Sequence, residues 1–468
     1  MKKSLRSEHI RFFRLFALYC LATLAWIFLK PSSGLSANAL HMIIIFVTSM
    51  AGVMLDICSP VAFLFMTMFA ANITGTIDIK ESFSGFSNVT PWLLFLVLSL
   101  AKTVAKTTIG TRLALIFTKF FGKGIMGLSY SIILTEFFIA PTLPSNTARS
   151  ANVGLPLVTS LSQYISSHLG ISEKSIGSYL SLLYAYSNAI CSSMFVTAMI
   201  SNTLILEAMS SIGIEITWLK WFKFAVFPGL IILLILPFIL KFTCNLKINN
   251  LGDIQLHAAK NYTNLGKLTG EEKIIISMFM VMLLMWIFSD CINISVTETT
   301  LLGVCIFIFL GIIDVKDMLS AHTTFTPMFM MAILISYVNC LVSLGAIEWF
   351  TKTVSVSISG FSPEISLIFL SIVYFFAHCF FSGETSQIIA LYTPFLLIGS
   401  SFEMDKLSIA MTLAVFSTMS DVLTNYNCPG ALTIFSAGYI TSKKWFYCGI
   451  IVALISMTVW FSYIFFLR

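Results

Sequence analysis

Charge is the scarcest commodity in this chain: 21 acids and 27 basic residues among 468, one residue in ten, against 57% hydrophobic residues. A soluble protein of this size cannot cover its surface with so little polarity, so a soluble domain is excluded. A long polar segment is missing as well. The longest, from about Thr243 to Lys273, is too short for a separate catalytic domain. No HExxH motif or nucleophile with an attendant base occurs, and none of the ten cysteines forms a CxxC or a Cys/His pair at metal-ligand spacing. Enzymatic and cofactor chemistry are therefore not expected, and no basic patch points to nucleic acid.

What the chain has in abundance is apolar runs of membrane-crossing length, about 20 residues for a core of about 30 Å. Crossings are expected near Phe12–Leu29, Leu40–Leu55, Val61–Ile73, Trp92–Val104, Tyr179–Met209 and Phe222–Leu240. A second set lies near Ile274–Phe288, Leu301–Ile313, Pro327–Leu344, Leu407–Phe435 and Phe446–Leu467. Two further zones, about 125–160 and 365–400, are interrupted by polar residues halfway and suggest re-entrant hairpins. Lys2, Lys3, Arg6, Arg11 and Arg14 against Glu8 place the N-terminus in the cytoplasm. Counting onward puts Lys102, Lys106, Arg112, Lys119 and Lys123 inside, with Lys247, Lys260, Lys267 and the Lys443-Lys444 pair. A retained first helix is preferred to a cleaved signal peptide. No Arg- and Ser-rich transit segment precedes it, so a cell inner membrane is expected before a plastid envelope.

The chain repeats itself. IKESFSGFSNVTPW (Ile79–Trp92) resembles VKDMLSAHTTFTPM (Val315–Met328), with Lys80/Lys316, Ser84/Ser320 and Thr90-Pro91/Thr326-Pro327 in register. Phe117-Thr118-Lys119 recurs as Phe350-Thr351-Lys352, and EITWLKWF (Glu215–Phe222) as YITSKKWF (Tyr439–Phe446). The expected fold is an all-α polytopic membrane protein: about eleven transmembrane helices plus two re-entrant hairpins, in two inverted five-helix repeats. The units are residues 1–35 with the first helix, 36–242 with the cytoplasmic-side hairpin, a linker over 243–272, and 273–468 with the outside hairpin.

Superposing the repeats lays SNTARSANVGLP (Ser145–Pro156) on GETSQIIALYTP (Gly383–Pro394), with Thr147 on Thr385. Pro141 and Pro144 stop a helix, and Ser145 or Asn146 can cap a new one whose free N–H groups suit a carboxylate. Asn146 and Thr147 add donors to an anion and oxygens to a cation. Arg149, one turn on, either grips a distal carboxylate or extends to the cytoplasmic surface. Glu384 is an isolated midplane acid, which is costly and so points to function. Glu136 and His378 in the hairpin arms either relay protons or serve as packed structural partners. Ser201-Asn202-Thr203 and Pro429-Gly430 interrupt two crossings, and each hairpin tip is expected to face the break in its own half.

Pro144-Ser145-Asn146-Thr147-Ala148-Arg149, FFSGETSQIIALYTPFL, SSMFVTAM and TNYNCPGALTIFSAGYIT together resemble the divalent anion:sodium symporter family, in its citrate carrier and 2-oxoglutarate/malate translocator branch. The resemblance implies a homodimeric elevator-type carrier of di- and tricarboxylates, with sodium as the coupling ion. By it, Ser145, Asn146 and Thr147 serve substrate and a first sodium, completed by backbone near Ser201 and Asn202. Thr385, with backbone near Asn425 and Asn427, serves a second. Glu384 replaces a neutral residue of the relatives, which leaves the coupling ion open between sodium and proton. The expected activity is exchange of small dicarboxylates of the 2-oxoglutarate, malate, succinate and fumarate class, with sodium- or proton-coupled symport as the alternative and an anion channel disfavoured because dead-end hairpins suit alternating access.

Overall fold

A computed structural model describes residues 2–54, 59–105, 107–210, 212–246, 248, 251–319, 322–358, 361–381 and 383–466. The crossing ends assigned at Leu55 and Leu467, and the residues Lys106, Lys247 and Ser320, lie outside them. The described chain is an all-α, multi-pass, largely apolar bundle with no β-strand among these residues. Its exterior is apolar, as lipid contact requires: Phe242 is 87% exposed and Phe309 90%.

Helix lengths correct the simple count of long crossings. Among the described residues, three helices are long and apolar enough to span by length and composition: Trp218–Thr243, Phe325–Ser343 and Ser442–Phe466. A fourth candidate is a bent pair, Val89–Val104 followed at 61° by Ile109–Phe121. Others are shorter, such as Pro60–Ile73 with 14 residues, about 21 Å at 1.5 Å per residue. Ile109–Phe121 and Ala346–Ile358 are amphipathic helices hidden from a search for apolar runs. The linker is also structured. Its helix Ile254–Asn264 packs on Ile109–Phe121, with Gln255 Nε2 donating to Lys119 O at 3.0 Å and Arg112 Nη1 to Gly266 O at 2.8 Å.

Two helices at the centre are broken. In the first, every residue from Ile176 to Met194 is buried, serines and Asn188 included. The helix stops at Met194, makes one tight turn over Val196–Ala198 between extended Phe195 and Met199, and resumes as Ile200–Ser210. The break thus lies just before Ser201-Asn202-Thr203, which sits in the new helix. The Asn202 amide donates to the orphaned carbonyls of Ser192 and Phe195, both at 2.9 Å. The second broken helix runs Lys406–Met419 and resumes as Pro429–Phe435. Proline opens that second piece because its missing N–H has no partner to lose there. One tight turn over Ser420–Val422 follows Met419, so the unwound stretch is 423–428, ahead of Pro429-Gly430.

Two hairpins flank this centre, and their elements recur at one offset. Gly124–Ile139 leads to a helical turn Asn146–Arg149, a π-helical segment Ser150–Gly154 and a helix from Leu155. Pro363–Ala377 leads likewise to Glu384–Gln387, Ile388–Tyr392 and a helix from Thr393. From the helical turn onward, each start lies 238 residues (384 − 146) after its counterpart. Pro156 and Pro394 stand at equivalent places just after the π-helical segments. Their missing N–H groups account for the widened turn.

Candidate functional site

In the first hairpin the chain turns at Pro141 and Pro144, and Ser145 caps the new turn by accepting the Ala148 N–H at 3.2 Å. Asn146 is buried; its Oδ1 accepts the Thr147 N–H at 2.7 Å and its Nδ2 points to Cys428 Sγ at 3.1 Å. Ser145 and Thr147 are half-buried. Gly430 packs so closely on this tip that a Cβ there would lie 3.1 Å from Ser150 Oγ and 3.3 Å from Asn146 O. The first tip therefore touches the break in the other half. It also touches its own, since Thr197 Oγ1 donates to Pro141 O at 3.0 Å.

Arg149 adopts neither expected orientation. It is fully buried, and four of its five donors are engaged by protein. Nε meets Glu136 Oε1 at 2.5 Å, Nη1 the carbonyls of Leu143 and Ala198, and Nη2 Ser192 Oγ. Glu136 is equally occupied: Tyr184 OH donates to Oε2 at 2.7 Å and Asn188 Nδ2 to Oε1 at 2.8 Å. The guanidinium thus staples the tip to its arm and to the first broken helix. A structural partner is the role these contacts give Glu136.

In the second hairpin Gly383 occupies the place of Ser145, without a capping side chain. Glu384, at the place of Asn146, is 4% exposed. Its Oε1 accepts the Ser201 hydroxyl at 2.9 Å, a contact with the first broken helix, and its Oε2 has no partner. Thr385 follows, half-buried. Gln387, at the place of Arg149, donates to Tyr374 O and accepts from His378 Nδ1, both at 2.8 Å. The other ring nitrogen of His378 lies 3.4 Å from Asp421 Oδ1. Asn427 Nδ2 donates to His378 O at 2.6 Å, and Asn425 is buried nearby in sequence.

Each tip is therefore held by both breaks rather than by its own alone. The Ser201 side chain goes to Glu384, and the Asn202 amide nitrogen is engaged within its own broken helix, so only the main chain and the Asn202 side-chain oxygen of this stretch are left for an ion. Asp421 was missed although its signal was present: it is the only charged residue between Lys406 and Lys443. Gln387 had no such signal. No group of three or more His, Cys, Asp or Glu side chains poised to hold a metal occurs among the described residues.

The chain is similar to known transport proteins. YflS of Bacillus subtilis, named for malate transport, is 30% identical over 92% of this chain and 91% of its own length. Dicarboxylate transporter 1 of Spinacia oleracea chloroplasts is 29% identical over 92% of this chain and 77% of its own. The citrate/succinate antiporter of Escherichia coli is 29% identical over 94% of each. The solved structure of Neisseria gonorrhoeae MtrF covers 95% of this chain and 96% of its own with a TM-score of 0.57 at 11% identity, a likeness of fold alone. The sequence profile of the sodium:sulfate symporter transmembrane region matches residues 11–466. The chain is thus a transporter and no enzyme, and it belongs to the sodium:sulfate symporter family, the divalent anion:sodium symporters that its hairpin motifs resemble.

Proposed function

We propose that the chain is a secondary active carrier of small dicarboxylates, of the 2-oxoglutarate, malate, succinate and fumarate class, which exchanges one for another by alternating access. The observation that carries this reading is the pairing of two hairpin tips, 238 residues apart, across two broken helices through Asn146–Cys428 and Ser201–Glu384. The names of the relatives, a dicarboxylate transporter and a citrate/succinate antiporter among them, support the substrate class and the exchange mode. Substrate lies between the tips, against Ser145, Asn146 and Thr147 on one side and Glu384 and Thr385 on the other. Arg149 acts from behind, by holding its tip.

The matching element spacings support two repeats over 36–242 and 273–468 joined by the 243–272 linker. An odd number of crossings in each, about five, makes the repeats inverted. On this reading about eleven helices cross an inner membrane, the N-terminus is cytoplasmic and the carrier is a homodimer. A cleft of about 590 Å³ beside Thr393 of the second hairpin, lined by Val338, Val342 and Leu397 with Asn339, Glu348 and Lys352, leaves room for movement of the hairpin unit against a fixed scaffold.

A second mode, symport with a cation, is favoured by one specific observation: Glu384 and Asp421 are both acids, buried where a dianion is to bind. In that mode sodium takes oxygens from Ser145, Asn146, Ser201 and Asn202, and from Thr385, Asn425 and Asn427. Uptake of labelled malate and 2-oxoglutarate into proteoliposomes, with internal dicarboxylate and the sodium gradient varied independently, tests the reading. Exchange predicts saturable uptake accelerated by internal dicarboxylate. Uptake indifferent to both variables would contradict either mode.

A further inference from the structure

The helix His322–Ser343 packs against each of Ala37–Met54, Pro60–Ile73 and Val89–Ala105, and these four form one unit. Inside it Thr67 Oγ1 meets Tyr337 OH at 3.0 Å, and Ser336 Oγ accepts the Gly85 N–H at 2.9 Å. The hairpins and broken helices form another. Ile200–Ser210 belongs to it, packed on Glu384–Gln387 of the second tip and on Lys406–Met419. Glu207 of this helix reaches across from one unit to the other. Its Oε1 accepts Asn88 Nδ2 and its Oε2 the Thr90 hydroxyl, both at 2.6 Å. Asn88 Oδ1 at the same time accepts the Thr90 N–H at 2.8 Å and so caps Val89–Ala105. The carboxylate thus docks by two charge-assisted bonds on a helix N-terminus, where the dipole favours negative charge.

Ser201 and Glu207 lie six residues apart (207 − 201) in one helix, about 9 Å along its axis. One short rod therefore touches the second tip through Ser201 and the neighbouring unit through Glu207. Glu207 is only half-buried. It borders a cavity of about 500 Å³ shared with Glu215, Thr217, Ser289 and Ser295, which the charge count puts on the outer face. Solvent and hydroxyls there can take over the carboxylate when its two bonds break, so release strands no buried charge. The fully buried Arg149–Glu136 pair has no such outlet and serves as a permanent tie.

We propose that Glu207 is a positioning residue of the carrier, a latch whose bonds to Asn88 and Thr90 hold the hairpin unit against Val89–Ala105 in the described state and open in every transport cycle. This rests on the alternating-access reading. The bonds deepen the state they belong to and so raise the barrier for leaving it, and weakening them speeds exchange.

The test measures exchange of labelled malate for internal malate in proteoliposomes of the full-length protein. Glu207→Gln removes the charge. Asn88→Asp keeps the cap but sets a second carboxylate against Glu207. The double variant Asn88→Asp/Glu207→Gln exchanges donor and acceptor and rebuilds the bond. Each single variant is expected to raise kcat at least about threefold with KM within about twofold, and the double variant to return kcat to within about twofold of wild type. Exposed Glu403→Gln should change neither. Backbone deuterium uptake of the same proteins in detergent should rise over 200–210 and 89–105 together in the single variants and fall back in the double. The proposal is overturned if kcat in the single variants stays at or below wild type, if the double variant does not restore it, or if uptake rises over 89–105 alone, which marks a lost cap. A wild-type protein that moves no dicarboxylate would sink the transport reading, and the paired deuterium response would still decide whether this contact opens as a latch.

Discussion

Ser201 and Glu384, 183 residues apart in sequence, meet in the interior with hydroxyl to carboxylate at 2.9 Å. The contact joins the second hairpin to the broken helix of the first half, so it couples the two repeats at the point where substrate is proposed to sit.

A double-mutant cycle measures that coupling. Ser201→Ala and Glu384→Gln, alone and together, should be non-additive in thermal unfolding in sodium-free detergent. Interhelical hydrogen bonds in membrane proteins average about 0.6 kcal/mol and reach about 1.7, which is the expected range. Strict additivity would mean the contact contributes nothing.

The Arg149–Glu136 pair is fully buried, so losing one partner strands the other charge. Glu136→Gln or Arg149→Met should each cost about 3–5 kcal/mol, while the double variant Glu136→Leu/Arg149→Met recovers much of the loss. Thermal unfolding provides the check. Were Arg149 instead a substrate grip, Arg149→Lys would raise KM with stability unchanged.

His257 of the linker stacks at 3.9 Å on Tyr164 of the helix Leu155–Leu169, and His168 of that helix also lies against the Tyr164 ring, at 4.0 Å. Partial burial, then the nearby His168 and Lys260, hold the His257 pKa below its usual 6.5. The unfolded or undocked state therefore binds more protons in the window just below 6.5, and docking weakens as pH falls through it. Trypsin cleavage at Lys260, compared between wild type and His257→Asn at each pH, should diverge below about pH 6.5. Parallel profiles would remove His257 from this role.

Much of the fold was legible because its signals are local. Prolines 141, 144, 156 and 394 stop or widen helices through their own missing N–H, and Ser145 caps from its own side chain. Position 146 was found from the prolines before it, and position 384 from its isolated charge and its place in the repeat. What stayed hidden depends on distant partners. Arg149 looked free because Glu136, Ser192 and Ala198 meet it only in the folded chain. The amphipathic Ile109–Phe121 escaped because its polar residues interrupt any apolar run; Arg112 among them meets its partners, the linker carbonyls of Leu265 and Gly266, only in the folded chain. The Ser201–Glu384 contact was not foreseen because sequence order says nothing about which hairpin reaches which break.

The central claim is that one substrate is shared by two tips, and binding of labelled malate to purified protein tests it most directly. Asn146→Ala in the first tip and Thr385→Ala in the second should each weaken binding at least about tenfold, about 1.4 kcal/mol, with Glu403→Gln unaffected. Wild-type affinity in both tip variants would contradict the paired site.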